Sequence, residues 1–335
     1  MNSLRRWSYV ALALAYLQIV FGAIVRISGS GLGCGDHWPT CDGQWFPSLV
    51  STHLVIEITH RLIAASLFVA ILVLVALAWR HRREPGVAGP RGVLRPASWA
   101  AVLWFAPAIL GAITVWLELP PLIIVVHLLL AMTLLAVLAW TVIRARGLGG
   151  QAVLAGGVSP RTARGAIAAA GLAIIVVGMG AVTANVPAAA AACHGFPLCN
   201  GQWLPAGRPQ HVQLVHRVLA FLLFFHMIGL TIGVARRREL PAVVRAVRTG
   251  MGVIVLQILV AAAMVSLYLP PVLQSLHEAM GALVWLSLFT MASLAAIGSR
   301  RPRLVSPEAV RGAEPPLVPR TPRSSVGVVA RSVDS

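Results

Sequence analysis

Apolar residues fill most of the chain in long runs, and short polar segments separate these runs. A membrane-spanning helix needs about 20 mostly apolar residues, and eight runs have about that length. They predict transmembrane helices at residues 9–27, 54–79, 98–117, 121–143, 165–184, 212–235, 250–268 and 272–298. Only 11% of the residues are charged, whereas soluble domains carry about 25%. We therefore expect an all-α polytopic membrane protein.

The charge is strongly basic, with a net value of +17 and no lysine among the 27 basic residues. Arginines cluster in the polar segments on one side of an eight-span topology: the N-terminus, 80–97, 144–164, 236–248 and 299–335. Arginine-rich segments stay in the cytoplasm, so we expect a plasma-membrane protein with both termini cytoplasmic. This distribution argues against nucleic-acid binding. The Arg-, Pro- and Ser-rich tail 299–335 is predicted to be disordered.

Several segments occur twice along the chain. "CDGQWFP" at 41–47 returns as "CNGQWLP" at 199–205, "ITHRLIA" at 58–64 as "LVHRVLA" at 214–220, and "LELPP" at 117–121 as "LYLPP" at 267–271. Repeated halves of a membrane protein place their sites at equivalent positions. The pattern predicts two pseudo-symmetric four-helix bundles, a first half at 1–146 and a second half at 165–298, joined by a cytoplasmic linker at 147–164.

Four histidines lie at matched depth within the predicted spans, two in each half: His60, His127, His216 and His277. Each half therefore offers two imidazoles from two different helices. Facing helices of a bundle build cofactor sites, and histidine is a common axial ligand of haem iron. The alternative is that each histidine hydrogen-bonds a neighbouring helix. The duplicated pattern favours two haem sites.

Glu57 distinguishes the first half from the second. It precedes His60 by three residues and shares its helix face, whereas Gln213 holds the same place before His216. A carboxylate beside a haem can carry protons or stabilise developing positive charge, or it can make a structural hydrogen bond. Two histidines with Glu57 also suit non-haem iron or copper, but the second half lacks the carboxylate. We therefore assign chemistry to the first half and electron storage to the second. Candidate contacts to haem propionates are Arg26, Arg61 and Arg217; the arginines beside the histidines could instead snorkel to the interface.

Three further polar residues lie near these candidates without a predicted chemical role. His53 lies on the same helical stripe as Glu57, and Glu278 follows His277 directly and so points elsewhere. His226 has no counterpart in the repeat, and we interpret it as structural.

The cysteines form two close pairs, Cys34 with Cys41 and Cys193 with Cys199, each in a segment predicted to lie outside the cell. Two thiols in a short loop form a disulfide in an oxidising compartment. Zinc or copper binding with nearby histidines is the alternative, but the spacing does not match the common zinc motifs. We expect a disulfide-closed cap over each site.

The combination of these features resembles the haem A synthase family over about residues 5–298. The resemblance rests on the eight spans, the duplicated elements, "EITHR" at 57–61 and "GAIVRISGSGLGCGDHWPTCDGQ" at 22–44. The chain departs from the family pattern at His37 and in the alanine-rich stretch 188–192. Both departures lie outside the candidate ligands.

The resemblance implies a specific reaction, oxidation of the C8 methyl group of haem O to the formyl group of haem A for terminal oxidases. Two successive oxidations would give a gem-diol, which loses water to the aldehyde. His60 and His127 would hold the substrate haem, and His216 and His277 a haem b cofactor that receives electrons. Glu57 would act at the reacting methyl group.

The implied partners follow from this reaction. A haem O synthase, the protohaem farnesyltransferase, would supply the substrate, and the lipid bilayer surrounds the protein. The sequence leaves the electron acceptor and a homo-oligomeric state open. Two alternatives also stay open, a non-catalytic dihaem b-type electron carrier and a transporter that uses its halves for alternating access.

Overall fold

The computed structural model describes residues 2–45, 47–147 and 157–299. Within these residues, eight helices are long and apolar enough to cross a membrane, which confirms the predicted all-α membrane class. They are α1 (Asn2–Ile27), α2 (Thr52–Arg80), α3 (Leu94–Trp116), α4 (Pro121–Arg144), α5 (Pro160–Asn185), α6 (Arg208–Arg237), α7 (Pro241–Ser266) and α8 (Pro271–Gly298).

Most helices extend further than the apolar runs that predicted them. The largest difference is in α7, which begins at Pro241 rather than at 250 and includes Arg245 and Arg248. Hydropathy detects the apolar part of a helix, whereas hydrogen bonding continues through polar residues at its ends. For the same reason α5 includes residues 160–164 of the predicted linker. The rest of that linker lies largely outside the described residues, as does the predicted disordered tail from 300 onward.

Helix contacts follow the two predicted halves. Helices α1 to α4 contact one another in a ring, α1 with α2, α2 with α3, α3 with α4 and α4 with α1, and α5 to α8 repeat the same ring. The halves meet through α1 with α8, α4 with α5 and α4 with α8. This pattern supports two four-helix bundles, but residues 2–299 belong to one compact unit.

The turns repeat as closely as the helices. Glu118 and Leu119, before α4, have φ angles of 57° and 65°, and Tyr268 and Leu269, before α8, have φ angles of 59° and 61°. Non-glycine residues rarely adopt this left-handed conformation. Each turn then ends at the proline that begins the next helix, a position where a missing N–H costs nothing. The duplicated sequence thus produces duplicated backbone geometry.

The α6–α7 turn lies at the end of the bundle away from the turns before α4 and α8. It is hydrogen-bonded there to the start of α5. Buried Glu239 accepts hydrogen bonds from the Ser159 N–H (3.0 Å) and the Thr162 hydroxyl, and it pairs with Arg237. Burial opposes ionisation, but the hydrogen bonds and the arginine outweigh it and hold the pKa of Glu239 below its usual value. This carboxylate therefore holds the α6–α7 turn against the start of α5.

Candidate functional site

A cavity of about 1040 Å³ lies inside the bundle at the end that carries the cysteine loops, hereafter the loop end. All eight helices contribute to its lining, and so do the four histidines singled out by the sequence. The structure therefore brings the candidate residues of both halves to one continuous space.

The second-half pair has the spacing of two ligands on one iron. The ring centroids of His216 and His277 are 6.4 Å apart, and the rings are nearly perpendicular, at 83°. A metal–imidazole nitrogen bond is about 2.0 Å long, and the centroid lies about 1.1 Å beyond that nitrogen, so trans imidazoles have centroids about 6.2 Å apart. The observed centroid distance would let the two rings hold one iron between them.

Glycines make room for three of the four imidazole rings. A Cβ at Gly22 would lie 3.2 Å from His60 Nε2, one at Gly111 would lie 3.3 Å from His127 Cε1, and one at Gly180 would lie 3.0 Å from His216 Cε1. Each glycine is on the helix before its histidine. The repeat puts Ala261 at the fourth position, on the helix before His277. A larger side chain would crowd these rings, so the small residues keep space beside the imidazoles.

Two of the rings carry a buried nitrogen without a hydrogen-bond partner, His127 Nδ1 and His216 Nδ1. Each of these two rings nevertheless lies near a backbone carbonyl of the preceding helix, that of Pro107 for His127 and that of Val176 for His216, so a weak contact to the backbone accounts for the buried nitrogen. Among the described residues, no three His, Cys, Asp or Glu side chains lie together as a bare-metal site. The donor set therefore fits a group that brings its own equatorial ligands, as haem does.

Two glutamines contact the other two histidines, and sequence reasoning missed both. Gln18 Nε2 lies 2.8 Å from His60 Nε2, and Gln257 Nε2 lies 3.1 Å from His277 Nδ1 and 3.0 Å from its carbonyl oxygen. Gln18 is on α1, whereas Gln257 is on α7, so the glutamines occupy non-equivalent helices. The sequence could have singled out both glutamines, because each is an isolated polar residue within an apolar run.

Glu57 holds the first cysteine loop. Its Oε2 accepts a hydrogen bond of 2.8 Å from the Cys34 N–H, while its Oε1 pairs with Arg61. Gln213 Oε1 accepts the same 2.8 Å bond from the Cys193 N–H. The two side chains thus make one equivalent contact and differ in charge. Both line the cavity.

The two arginines beside the histidines are also tied to the loops. Arg61 donates to the carbonyls of Thr40 (2.8 Å) and His37 (3.1 Å). Arg217 donates to loop carbonyls including those of Gly195 (3.0 Å) and Leu198 (2.9 Å). Their contact with propionates stays a prediction, since their observed partners are loop carbonyls and, for Arg61, also Glu57.

Both loops are closed by disulfides, Cys34–Cys41 and Cys193–Cys199. The third candidate propionate contact, Arg26 on α1, pairs with Glu278 on α8, so it links the two halves. Both residues line the cavity.

The remaining polar residues make ordinary contacts away from the histidine pairs. His226 Nε2 hydrogen-bonds the Gly165 carbonyl at 2.9 Å, which supports the structural interpretation. Exposed His53 contacts the buried Ser30 hydroxyl at 3.0 Å.

The two halves differ in how exposed their parts of the cavity lining are. Among the described residues, every exposed residue that lines it belongs to the first half, namely Gly29, Trp38, Pro39, Gln44, Trp45, Leu49, Leu62 and Ala65. The lining residues of the second half are buried or half-buried. Among the described residues, exposed side chains therefore border the cavity on the first-half side alone, whereas the four histidines themselves are all half-buried.

Comparison with known proteins agrees with these features. The family model COX15-CtaA, described as cytochrome oxidase assembly protein, matches residues 5–53 and 48–289. A heme A synthase of Shouchella clausii is 32% identical over 225 residues, covering 66% of this chain and 73% of the relative. One of Bacillus mycoides is 29% identical over 236 residues, 65% of this chain and 70% of the relative. One of Geobacillus kaustophilus is 42% identical over 76 residues, 22% of this chain and 24% of the relative.

Proposed function

The chain belongs to the COX15-CtaA family of cytochrome oxidase assembly proteins, and on this premise we propose that it is a haem A synthase. It oxidises the C8 methyl group of haem O to a formyl group, which gives haem A for terminal oxidases. Conversion of a methyl group to a formyl group takes up one oxygen atom from water and releases four electrons and four protons. The protein must therefore hold one haem as substrate and pass on electrons and protons.

The first half holds the substrate and the second half holds a haem b cofactor. One observation carries this assignment: the exposed residues lining the cavity lie in the first half. A substrate has to bind and leave at every turnover, whereas a cofactor is retained. His60 and His127 are then the substrate ligands, and His216 and His277 are the cofactor ligands.

The residues present fit two haems. Glycines beside His60, His127 and His216 keep space next to the rings, and the His216–His277 spacing suits one iron. When bound, the haems supply the redox chemistry that removes electrons from the methyl group. The chain supplies the axial imidazoles, an apolar enclosure and the groups that handle protons.

Glu57 is the proton-handling group of the first half. It is 4% exposed, lines the cavity and pairs with Arg61. A carboxylate in such a place can take up a proton as water adds to the substrate carbon and can stabilise positive charge that develops there. The hydrogen bond to Cys34 holds it in position.

The loop end faces the outside of the cell, and both termini are cytoplasmic. The arginine distribution supports this orientation, and the disulfides fit the oxidising exterior. A haem O synthase in the same membrane supplies the substrate.

Pigment analysis of the purified chain, co-expressed with a haem O supply, tests the function. We expect haem b together with haem A or a hydroxylated haem O derivative. Haem b as the sole pigment, in both halves, would identify a dihaem electron carrier instead. A second measurement separates a transporter, which predicts impaired substrate flux and little loss of haem A in Glu57→Gln, whereas a synthase predicts loss of haem A.

A further inference from the structure

The seam between α2 and α3 is where the cavity reaches the side of the bundle. Leu62 and Ala65 on α2 are both exposed, Leu62 to 61%, and both line the cavity. Phe68, three residues beyond Ala65 on the same face, stacks on Trp104 of α3 at a centroid distance of 4.3 Å. The opening therefore lies in the α2–α3 seam, on the loop-end side of this aromatic pair.

The same position in the second half is filled. Phe221 on α6 occupies the place of Ala65, because "HRLIAA" at 60–65 aligns with "HRVLAF" at 216–221. Its half-buried ring contacts Phe196 of the cysteine loop at 5.8 Å and Phe225 at 6.4 Å. This aromatic row lies along the helix face that corresponds to the first-half opening. The second-half cavity lining includes no exposed residue among those described.

The surroundings of the first-half opening are apolar. Trp45 (72% exposed) and Leu49 (64%) line the cavity on its loop-end side, at the level where aromatic residues meet the membrane interface. Leu62 lies in the membrane-spanning helix below them. The opening therefore meets lipid and interface rather than bulk water alone.

We propose that the α2–α3 seam of the first half is a lateral portal through which haem O, with its isoprenoid chain, passes between the bilayer and the cavity, and that Phe221 closes the equivalent seam so that the second-half haem is retained. This inference rests on the proposed function for the identity of the ligand. A haem with a long prenyl chain partitions into lipid through its apolar part, so a side opening spares that part a transfer through water. One side chain, alanine or phenylalanine, thereby separates a site that exchanges its haem from one that keeps it.

Haem transfer from the full-length protein to excess apomyoglobin tests the portal. The protein is loaded with haem O in lipid nanodiscs, and haem O and haem b lost over time are separated by chromatography. We expect Ala65→Phe to slow haem O release about tenfold and Phe221→Ala to speed haem b release about tenfold, because such changes act mainly on dissociation. Ser66→Phe is the matched control. It adds the same ring at an exposed neighbouring position that does not line the cavity, and it should release both haems as wild type does.

Haem O release from Ala65→Phe at the wild-type rate overturns the portal, and so does equal slowing in Ser66→Phe. The second-half haem b spectrum reports whether Ala65→Phe is folded. If that spectrum is lost, Phe221→Ala decides alone, and wild-type retention of haem b in it overturns the proposal. These rates do not depend on turnover. A wild-type chain that makes no haem A contradicts the proposed function, yet the release of loaded haem O still tests the portal.

Discussion

Glu57 in the first half and Gln213 in the second accept the same hydrogen bond, from the N–H of the first cysteine in each loop. The two halves therefore share the device that holds a disulfide loop over the cavity. What differs is a negative charge, present where the cavity is open and absent where it is enclosed. The scaffold is common to both sites, and a few side chains decide which one can exchange and transform its ligand.

The second-half histidines give the largest expected effect. His216→Ala or His277→Ala should remove the low-spin haem b spectrum, because a lost axial imidazole leaves the iron without its ligand pair. His60→Ala and His127→Ala should leave that spectrum in place. His226→Ala is the control, since this histidine bonds a backbone carbonyl. An unchanged spectrum in both second-half variants would contradict the assignment.

Exchanging the amide and the carboxylate tests the charge itself. Glu57→Gln preserves a side chain able to hold the Cys34 N–H, as Gln213 does at Cys193, but it removes the charge. General acid–base groups contribute about 10²–10⁴-fold to rate, so haem A production should fall by about that factor while bound haem is retained. Gln213→Glu is the mirror variant and should change the rate little. Wild-type haem A production by Glu57→Gln would remove Glu57 from the chemistry.

The glycines beside the histidines should affect one half at a time. Gly180→Ala places a Cβ 3.0 Å from His216 Cε1, and overpacking of this kind costs about 1–3 kcal/mol. We expect about tenfold weaker haem b binding, measured as haem content after purification. Gly22→Ala should weaken haem O binding and spare haem b. Gly171→Ala, on the same helix as Gly180 but with open space around it, should keep normal haem content, and a loss there would point to a general packing defect.

The two disulfides should also be unequal. Removal of either constraint costs about 2–3 kcal/mol for a loop of this length. The first loop additionally borders the open part of the cavity and carries the N–H that holds Glu57. Serine at both Cys34 and Cys41 should therefore lower haem A yield severalfold more than serine at both Cys193 and Cys199. Equal losses would show that the loops serve stability alone.

The smallest effect concerns Glu239 at the α6–α7 turn. Glu239→Gln should lower the free energy of unfolding by about 1–3 kcal/mol, since a carboxylate that accepts several hydrogen bonds is replaced, and it should leave both haems bound. The pKa of Glu239 is lowered on folding, so its stabilising effect is present above its unfolded pKa of about 4.3 and disappears as the pH falls through the lower folded value. Thermal unfolding from pH 7 downward should show the wild type approaching the variant. A constant difference across that range would contradict this assignment.

The sequence predicted the eight spans because long apolar runs have one interpretation in a membrane protein. It also predicted that two histidines in each half lie at one depth, because the repeat fixed their positions, but it predicted two separate pockets, whereas one cavity is lined by all four. Gln18 and Gln257 could not be paired with His60 and His277, since that contact depends on helix rotation. The sequence also could not predict the contact between Glu57 and Cys34, because this contact requires the loop to fold back onto α2. The alignment of the two halves shows that Phe221 stands at the position of Ala65. The consequence of this difference could not be predicted, because it depends on which face of α2 meets α3.

The ion pair between Arg26 and Glu278 has a consequence for how the two halves recognise each other. In the repeat, Ala184 of the second half occupies the position equivalent to Arg26. Leu128 of the first half occupies the position equivalent to Glu278. Two copies of the first half, packed in the same way, would set Arg26 against a leucine, and two copies of the second would set Glu278 against an alanine. Each like-with-like assembly would therefore leave a partly buried charge without its counter-ion, which is costly. The ion pair can form only between a first half and a second half. It therefore favours contact between the two unlike halves over contact between two copies of the same half.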